Sequence, residues 1–485
     1  MFKIHTVLKA IIKKQKRFFL IEDSIFQHIK LKLERNNALH LKGKHHLKLD
    51  ILVFFIDLIQ RKAIERKDHL VNGYVRLMAK IFHRYHSDYK RYLDFLIEIK
   101  VLDTIPYNKP KHLSYGYKVL RPQSKRKTPK VIKYDPLSFT FRNKVDSIEN
   151  RLSPKTRGCT HLIKWLNHRH IIIDYDSALS FIHQPQFNLT KQYQMRYTIE
   201  HIHHGNWLVH RDGKDKRLHS NLTNLSSGLR PFITYRGNTL VSLDLKSSQP
   251  YILAGICNLM MNNSYDKLDG LIEMVGSNDN KTLLRDAYSV MIPLISESPI
   301  NIELRQFINA TVNSDIYEAI SEGFSTDFKK SIVTEKGIID KVYIKASGKR
   351  KITQFKSLRG YAKLCVLQYL YCSKNSTEKR VIELRRILPD ALNNLVDFMK
   401  QENKTAFPII LQNIEAHLFL DIITKELNLK YPDLFMATIH DSIIVPLGEE
   451  QKVIEVMQAV LYNTFEIMPT VKKEVWSNTN LANAS

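Results

Sequence analysis

At the start of the chain, Ile4, Val7, Leu8, Ile11 and Ile12 recur at helical spacing and predict a helical arm within residues 1–45. From about residue 47 the pattern tightens into three predicted helices, over 47–64, 71–82 and 89–100. The third gathers Tyr89, Tyr92, Leu93, Leu96 and Ile99 on one stripe, has Ser87 in place to cap it, and leaves Lys90 and Arg91 outward. A strand over 101–105, a turn with Pro and Lys, and the alternation of Tyr115, Tyr117 and Val119 then predict a β-hairpin. Residues 121–130, RPQSKRKTPK, read as an extended linker. Residues 131–200 have mixed helical periodicity, with Trp165 and the isoleucines at 171–173 as core. Further on, TLVSLDL (239–245) alternates like a half-buried strand with Asp244 near its end. An apolar helix follows, with Ser247 and Ser248 as capping candidates and Pro250 in its first turn. Helices are expected over 281–292, stopped by Pro293, and over 302–322. MATIHDSIIVP (436–446) reads as two short strands flanking His440, Asp441 and Ser442, which puts a carboxylate at a hairpin tip.

The three helices and hairpin of residues 46–120 resemble a winged helix, in which the third helix would enter a groove and the hairpin lie on the backbone; a plain helical core with a decorative hairpin is the other reading. Charge sharpens the choice. The chain carries 74 Lys and Arg against 48 Asp and Glu, net +26. Residues 1–200 hold 40 basic and 17 acidic side chains, and residues 201–485 hold 34 and 31. Segregated positive charge concentrates polyanions, so nucleic acid is the leading partner, ahead of an anionic membrane surface. With 44% hydrophobic and 25% charged residues, disorder and collagen-like architectures are excluded, and 485 residues make two to four domains. The apolar stretches at 51–59 and 251–261 are too short for a bilayer, and no signal peptide is evident, so no membrane contact and a cytoplasmic location are expected. Cys159, Cys257, Cys365 and Cys372 lack zinc or disulfide spacing and read as small buried hydrophobes.

Two carboxylates far apart in sequence, Asp244 at a strand-to-helix junction and Asp441 at a hairpin tip, can together hold a pair of Mg²⁺ ions for nucleotidyl transfer. Between them RGYAKLCVLQYLYC sets Arg359, Lys363, Leu367 and Tyr371 four apart, on one helical face. In that order, these segments resemble the family A DNA polymerases of the bacterial DNA polymerase I type. LDLKSSQP is similar to motif A, with Gln249 five positions after Asp244; HDS is similar to motif C; and RLHSNLTNL (217–225) and Gln412 in LQNIEAHLF resemble primer-contacting segments. The resemblance covers about residues 200–450.

It implies a mixed α+β (α/β) right-hand polymerase with an antiparallel-sheet palm and helical fingers and thumb, beside the basic winged-helix-like module. The matching boundaries are 1–120 for the arm and module, 121–135 for the linker, 136–215 for a thumb-like region, 216–258 and 406–485 for the palm, and 259–405 for the fingers. It implies primer–template DNA and dNTPs as partners and two Mg²⁺ held by Asp244, Asp441 and the carbonyl of Leu245. Arg359 and Lys363 would grip the triphosphate, Lys363 would protonate the pyrophosphate, and Tyr371 would stack near the templating base, with Leu367 beside it. Arg217, Asn224, Gln412 and His440 would contact primer and template. Departures are Leu367 for an aromatic, Cys372 for Gly, and Ser442 for Glu; the last is similar to the single-subunit phage RNA polymerases. Gln249 is bulky and would block a ribose 2′-OH, which favours dNTPs. An acidic pair for a 3′–5′ exonuclease is not recognisable, and the compact size resembles polymerases of phages or mobile elements. A single-subunit RNA polymerase or primase-like enzyme on the same fold, and a non-catalytic DNA-binding replication initiator, are the alternatives.

Overall fold

The computed structural model describes residues 18–477 apart from 40–45, 66–69, 71, 111–112, 122–129, 150–153, 167–169, 188, 212, 296–297, 336, 345–349 and 402. The apolar positions of the expected arm up to Ile12, and most of the linker, lie outside the described residues. The fold mixes helices with antiparallel sheets, and its contacts divide the chain into two units: 1–210, 219–240 and 476–485, and then 211–218 with 241–475.

In the first unit, strand Phe19–Glu22 pairs with Val131–Tyr134, and helix Leu49–Glu65 runs through a core that includes Phe19, Phe54, Phe55, Phe82 and Leu96. The helix expected over 71–82 is instead a two-residue strand, Val75–Arg76, followed by the short helix Ala79–His83. Val75 pairs with Tyr117 and Arg76 with Gly116, so the strand joins Leu102–Ile105 and Gly116–Val119 in a three-stranded sheet. A partner some forty residues downstream leaves no local periodicity to read. Helix, strand, two helices and a hairpin thus follow one another, with the first strand beside the last. Ser87 does not cap the helix Tyr89–Glu98: Asp88 precedes it, and the His86 ring nitrogen Nδ1 accepts the Asp88 N–H at 3.2 Å. That helix exposes Lys90, Asp94, Ile97 and Glu98, while Arg91 pairs with Asp88 at 3.3 Å. Its outer face is therefore mixed in charge, which does not suit entry into a groove lined by phosphates; exposed cations flank it, Lys80 and Arg84 before and Lys100 after.

The second unit is built on a sheet in which hairpin strands Ala437–Ile439 and Ser442–Pro446 lie beside the strand Asn238–Leu245, whose residues from Val241 onward belong here. Strand Val471–Val475 covers the other edge, pairing Asp244 with Lys472. Helix Ser248–Met261 leaves the central strand and is buried along nearly its whole length, as its apolar sequence requires. Two expected helix boundaries move. Helix Asn278–Ile295 continues through Pro293, because a proline in the last turn loses one backbone bond while Met291, Ile292 and Ile295 stay buried. The segment expected as one helix over 302–322 is two, Ser298–Asn313 and Ile316–Glu322, the second capped by Asp315. Among the described residues one helix, Ala406–Lys430, is long and apolar enough to cross a membrane, and 72% of its apolar window is buried within the fold. A π-helical stretch, Leu418–Ile423, interrupts it.

Candidate active site

All the residues brought together here belong to the second unit. Alternation of Val241, Leu243 and Leu245 with Ser242 and Asp244 makes the central strand, and the chain then turns through Ser247, whose φ of 55° is left-handed. His440 takes the same conformation, φ 54°, in the two-residue turn between the paired residues Ile439 and Ser442. Non-glycine residues held in this region cost on the order of 1 kcal/mol each, so packing holds both turns against local preference.

Those turns bring the two acidic motifs into contact. Ser442 donates its hydroxyl to Asp244 Oδ1 at 2.7 Å across 198 positions of sequence, and the Leu245 N–H donates to the Asp441 carbonyl at 3.4 Å. Burial pushes the Asp244 carboxyl up to about 6, and the charge of Asp441 adds to it; the Ser442 hydrogen bond, Lys363 and Lys472 pull the other way. A pair of partly buried carboxylates that raise each other's energy in this way is relieved by a proton or by a cation. The donors are hard oxygens, which fit Mg²⁺ better than a softer metal. Among the described residues no group of three or more His, Cys, Asp or Glu side chains is arranged to hold a metal, so the side chains of this site offer two carboxylates and leave the remaining positions to backbone, water or substrate oxygen.

Helix Leu358–Tyr371 brings Lys363 near enough for its charge to lower the Asp244 carboxyl. Ser357 caps it by accepting the Gly360 N–H at 3.1 Å. It buries Tyr361, Ala362, Cys365, Val366, Tyr369 and Leu370, which leaves Arg359, Lys363, Leu367 and Tyr371 on the more open stripe that their spacing by four demands. The Tyr371 hydroxyl accepts from Gln412 Nε2 at 2.6 Å and from Gln249 Nε2 at 3.3 Å. Three residues singled out in three separate motifs thus meet at one oxygen.

Other members were not legible in sequence. Tyr317, buried, lies under both cations of the stripe, its ring centre 5.6 Å from Arg359 and 5.9 Å from Lys363. Asp315 Oδ2 accepts from Arg359 Nε at 3.0 Å and Nη2 at 2.8 Å. Burial would raise the Asp315 carboxyl, but the hydrogen bonds and charge of Arg359 outweigh it and hold the group below the usual carboxylate range. Glu415, 1% exposed on the helix Ala406–His417, takes Arg217 Nε at 2.8 Å and Nη2 at 2.5 Å on one oxygen, and the Ser248 hydroxyl at 3.0 Å on the other. Its signal in the sequence is a lone acid three positions after Gln412 in LQNIEAHLF. Asn224 belongs to the first unit, where it lines a small cavity with His201, His210 and His219.

No protein-family model and no curated protein matches the chain. Fifty-two chains of solved structures do. One is the POL domain of Pol1 from M. smegmatis in complex with DNA primer-template and dNTP, at 12% identity over 70% of this chain and 74% of that one, with a TM-score of 0.23. It is a weak structural neighbour, and an overlap that low does not bear on fold or activity.

Proposed function

We propose that the protein is a template-directed DNA polymerase that adds dNTPs to a primer 3′-OH. The observation that carries the reading is the meeting of Asp244, from the central strand, with the Asp441 hairpin through the Ser442 bond, opposite a helix that displays Arg359, Lys363 and Tyr371. In this reading residues 216–258 and 406–485 act as palm, 259–405 as fingers and 136–215 as thumb. Asp244 and Asp441, with the Leu245 carbonyl, would hold two Mg²⁺, which when bound would acidify the primer hydroxyl and neutralise charge on the departing phosphates. Arg359 and Lys363 bind the triphosphate, and Lys363 delivers a proton to the pyrophosphate. Tyr371 stacks near the templating base, with Leu367 beside it in the nucleotide pocket. Arg217, Gln412 and His440 contact the primer and template. The test is extension of a labelled primer on a defined template with Mg²⁺, offering dNTPs and rNTPs separately; a chain that binds the duplex and never extends it supports the replication-initiator alternative.

Gln249 supports the choice of sugar. It is 8% exposed and tied to Tyr371, so its bulk is fixed in place beside the stripe. Gln249→Gly is expected to raise the rNTP to dNTP incorporation ratio by about tenfold or more, an effect of at least about 1.4 kcal/mol on discrimination. Wild type that prefers rNTPs would assign the fold to RNA synthesis.

Asp315 occupies the guanidinium that the triphosphate needs. Asp315→Asn keeps an oxygen to cap the helix Ile316–Glu322 but removes the competing charge. A partly exposed ion pair is worth about 1 kcal/mol or less, so the dNTP KM is expected to fall up to about fivefold at unchanged kcat. A KM that rises on this substitution makes Asp315 an aid to nucleotide binding and not its competitor.

A further inference from the structure

The helix Ala406–His417 makes three attachments to the short segment 211–218. Asn413 Nδ2 donates to the Lys214 carbonyl at 2.9 Å, Glu415 takes the Arg217 guanidinium, and just beyond the helix Asp421 takes Arg211 through Nη1 at 2.9 Å and Nη2 at 2.5 Å. The Arg211 Nε in turn donates back to the Lys216 carbonyl at 2.8 Å, closing the segment on itself. The middle attachment differs from the others in what it leaves open. Glu415 engages Nε and Nη2 of Arg217 on a single oxygen, while Nη1 takes no acceptor among the described residues and 17% of the side chain stays open. A guanidinium is planar, so two bonds along one edge fix the direction of the remaining nitrogen.

We infer that Glu415 is a positioning residue that aims the Nη1 edge of Arg217 at an acceptor on the primer–template, the kind of acceptor every base pair presents in the minor groove. Its second oxygen, on Ser248, sets this aim relative to the helix that follows Asp244, so that primer grip and the acidic pair share one frame. The carboxylate is 1% exposed and does not itself reach solvent, so it acts through Arg217 and not on nucleic acid directly. The charge on Asp441 also faces Glu415, and burial is the main cause that pushes the Glu415 carboxyl up, to about 7, with Arg217 opposing. The inference rests on the polymerase reading.

The test is a double-mutant cycle on the full chain, read by anisotropy of a fluorescent primer–template without nucleotide and by steady-state extension. Removing one member of a buried hydrogen-bonded charge pair is a large loss, and E415A is expected to weaken duplex affinity about tenfold or more and raise the primer KM in step. At saturating primer, kcat stays within about threefold, a split that a merely loosened fold would not produce. E415Q, which keeps an acceptor for Arg217, recovers most of the affinity, and R217A/E415A binds no worse than R217A alone. If E415A melts at assay temperature, E415Q carries the cycle: its smaller loss must vanish in the R217A background. Losses that add across the cycle, or a primer affinity untouched by either substitution, overturn the inference. Wild type that extends primers while the cycle is additive removes only Glu415's role; wild type that extends no primer removes the polymerase reading itself.

Discussion

Asp244→Ala and Asp441→Ala are each expected to abolish primer extension, by at least about 10³-fold, while the affinity for a primer–template duplex stays within about threefold. The size follows from what the pair does in the proposed reaction: two carboxylates hold the cations that offset charge on both reacting oxygens, and a loss of about 4 kcal/mol of transition-state stabilisation is about 10³ in rate. Single-turnover extension and duplex anisotropy measure the two halves. The same pair has an activity-independent signature. Because the folded Asp244 carboxyl is pushed up to about 6, from 3.8, the folded chain binds more protons than the unfolded one between those values. Stability therefore falls as pH rises through that window, and at pH 7.5 the full cost of the ionised pair is present. Mg²⁺ relieves it, so thermal melting at pH 7.5 rises on adding millimolar Mg²⁺ in wild type and moves much less in Asp244→Ala or Asp441→Ala. Wild type whose melting ignores Mg²⁺ and whose rate survives either substitution returns the protein to the class of DNA-binding initiators.

Lys363→Ala is expected to lower kcat by about 10²-fold or more with a smaller change in dNTP KM, because in the proposed reaction it is a positioned general acid, which contributes about 10²–10⁴ and acts only as the pyrophosphate leaves. Arg359→Ala shows the opposite split, a raised dNTP KM with kcat less affected, since a guanidinium on the triphosphate binds ground state and transition state alike. The two cations lie one helical turn apart over the same Tyr317 ring, so the contrast tests role and not location. A leaving group that needs no proton, such as a fluorinated bisphosphonate, narrows the Lys363→Ala defect. Equal kcat and KM effects in both variants make the stripe a general phosphate-binding surface.

Much of this site could be read along the chain because each piece is local. The Asp244 strand follows from alternation, the His440 turn from β-branched runs on either side of HDS, and the stripe of Arg359, Lys363, Leu367 and Tyr371 from spacing by four. The hairpin of Leu102–Ile105 and Gly116–Val119 was legible for the same reason, whereas strand Val75–Arg76 was not, since two residues contain no period. Lys90 and Arg91 read as the outward residues of the third helix, yet the folded helix also exposes Asp94 and Glu98, and Arg91 pairs with Asp88. Net charge is a sum over the chain and does not say which face carries it.

The amino-acid order by itself determined the strand that carries Asp244, the hairpin that carries Asp441 and the helix that carries Arg359, Lys363 and Tyr371, because propensity and periodicity act between neighbours. Only the tertiary structure decided that Ser442 would bond Asp244, that Tyr371 would be shared by Gln249 and Gln412, that Asp315 would occupy Arg359, and that a buried Glu415 would hold Arg217. Those contacts join residues from 41 to 198 positions apart. Nothing in local sequence encodes such distances; they are set when strands pair and helices pack, and a carboxylate then gains its meaning from whatever cation burial has placed beside it.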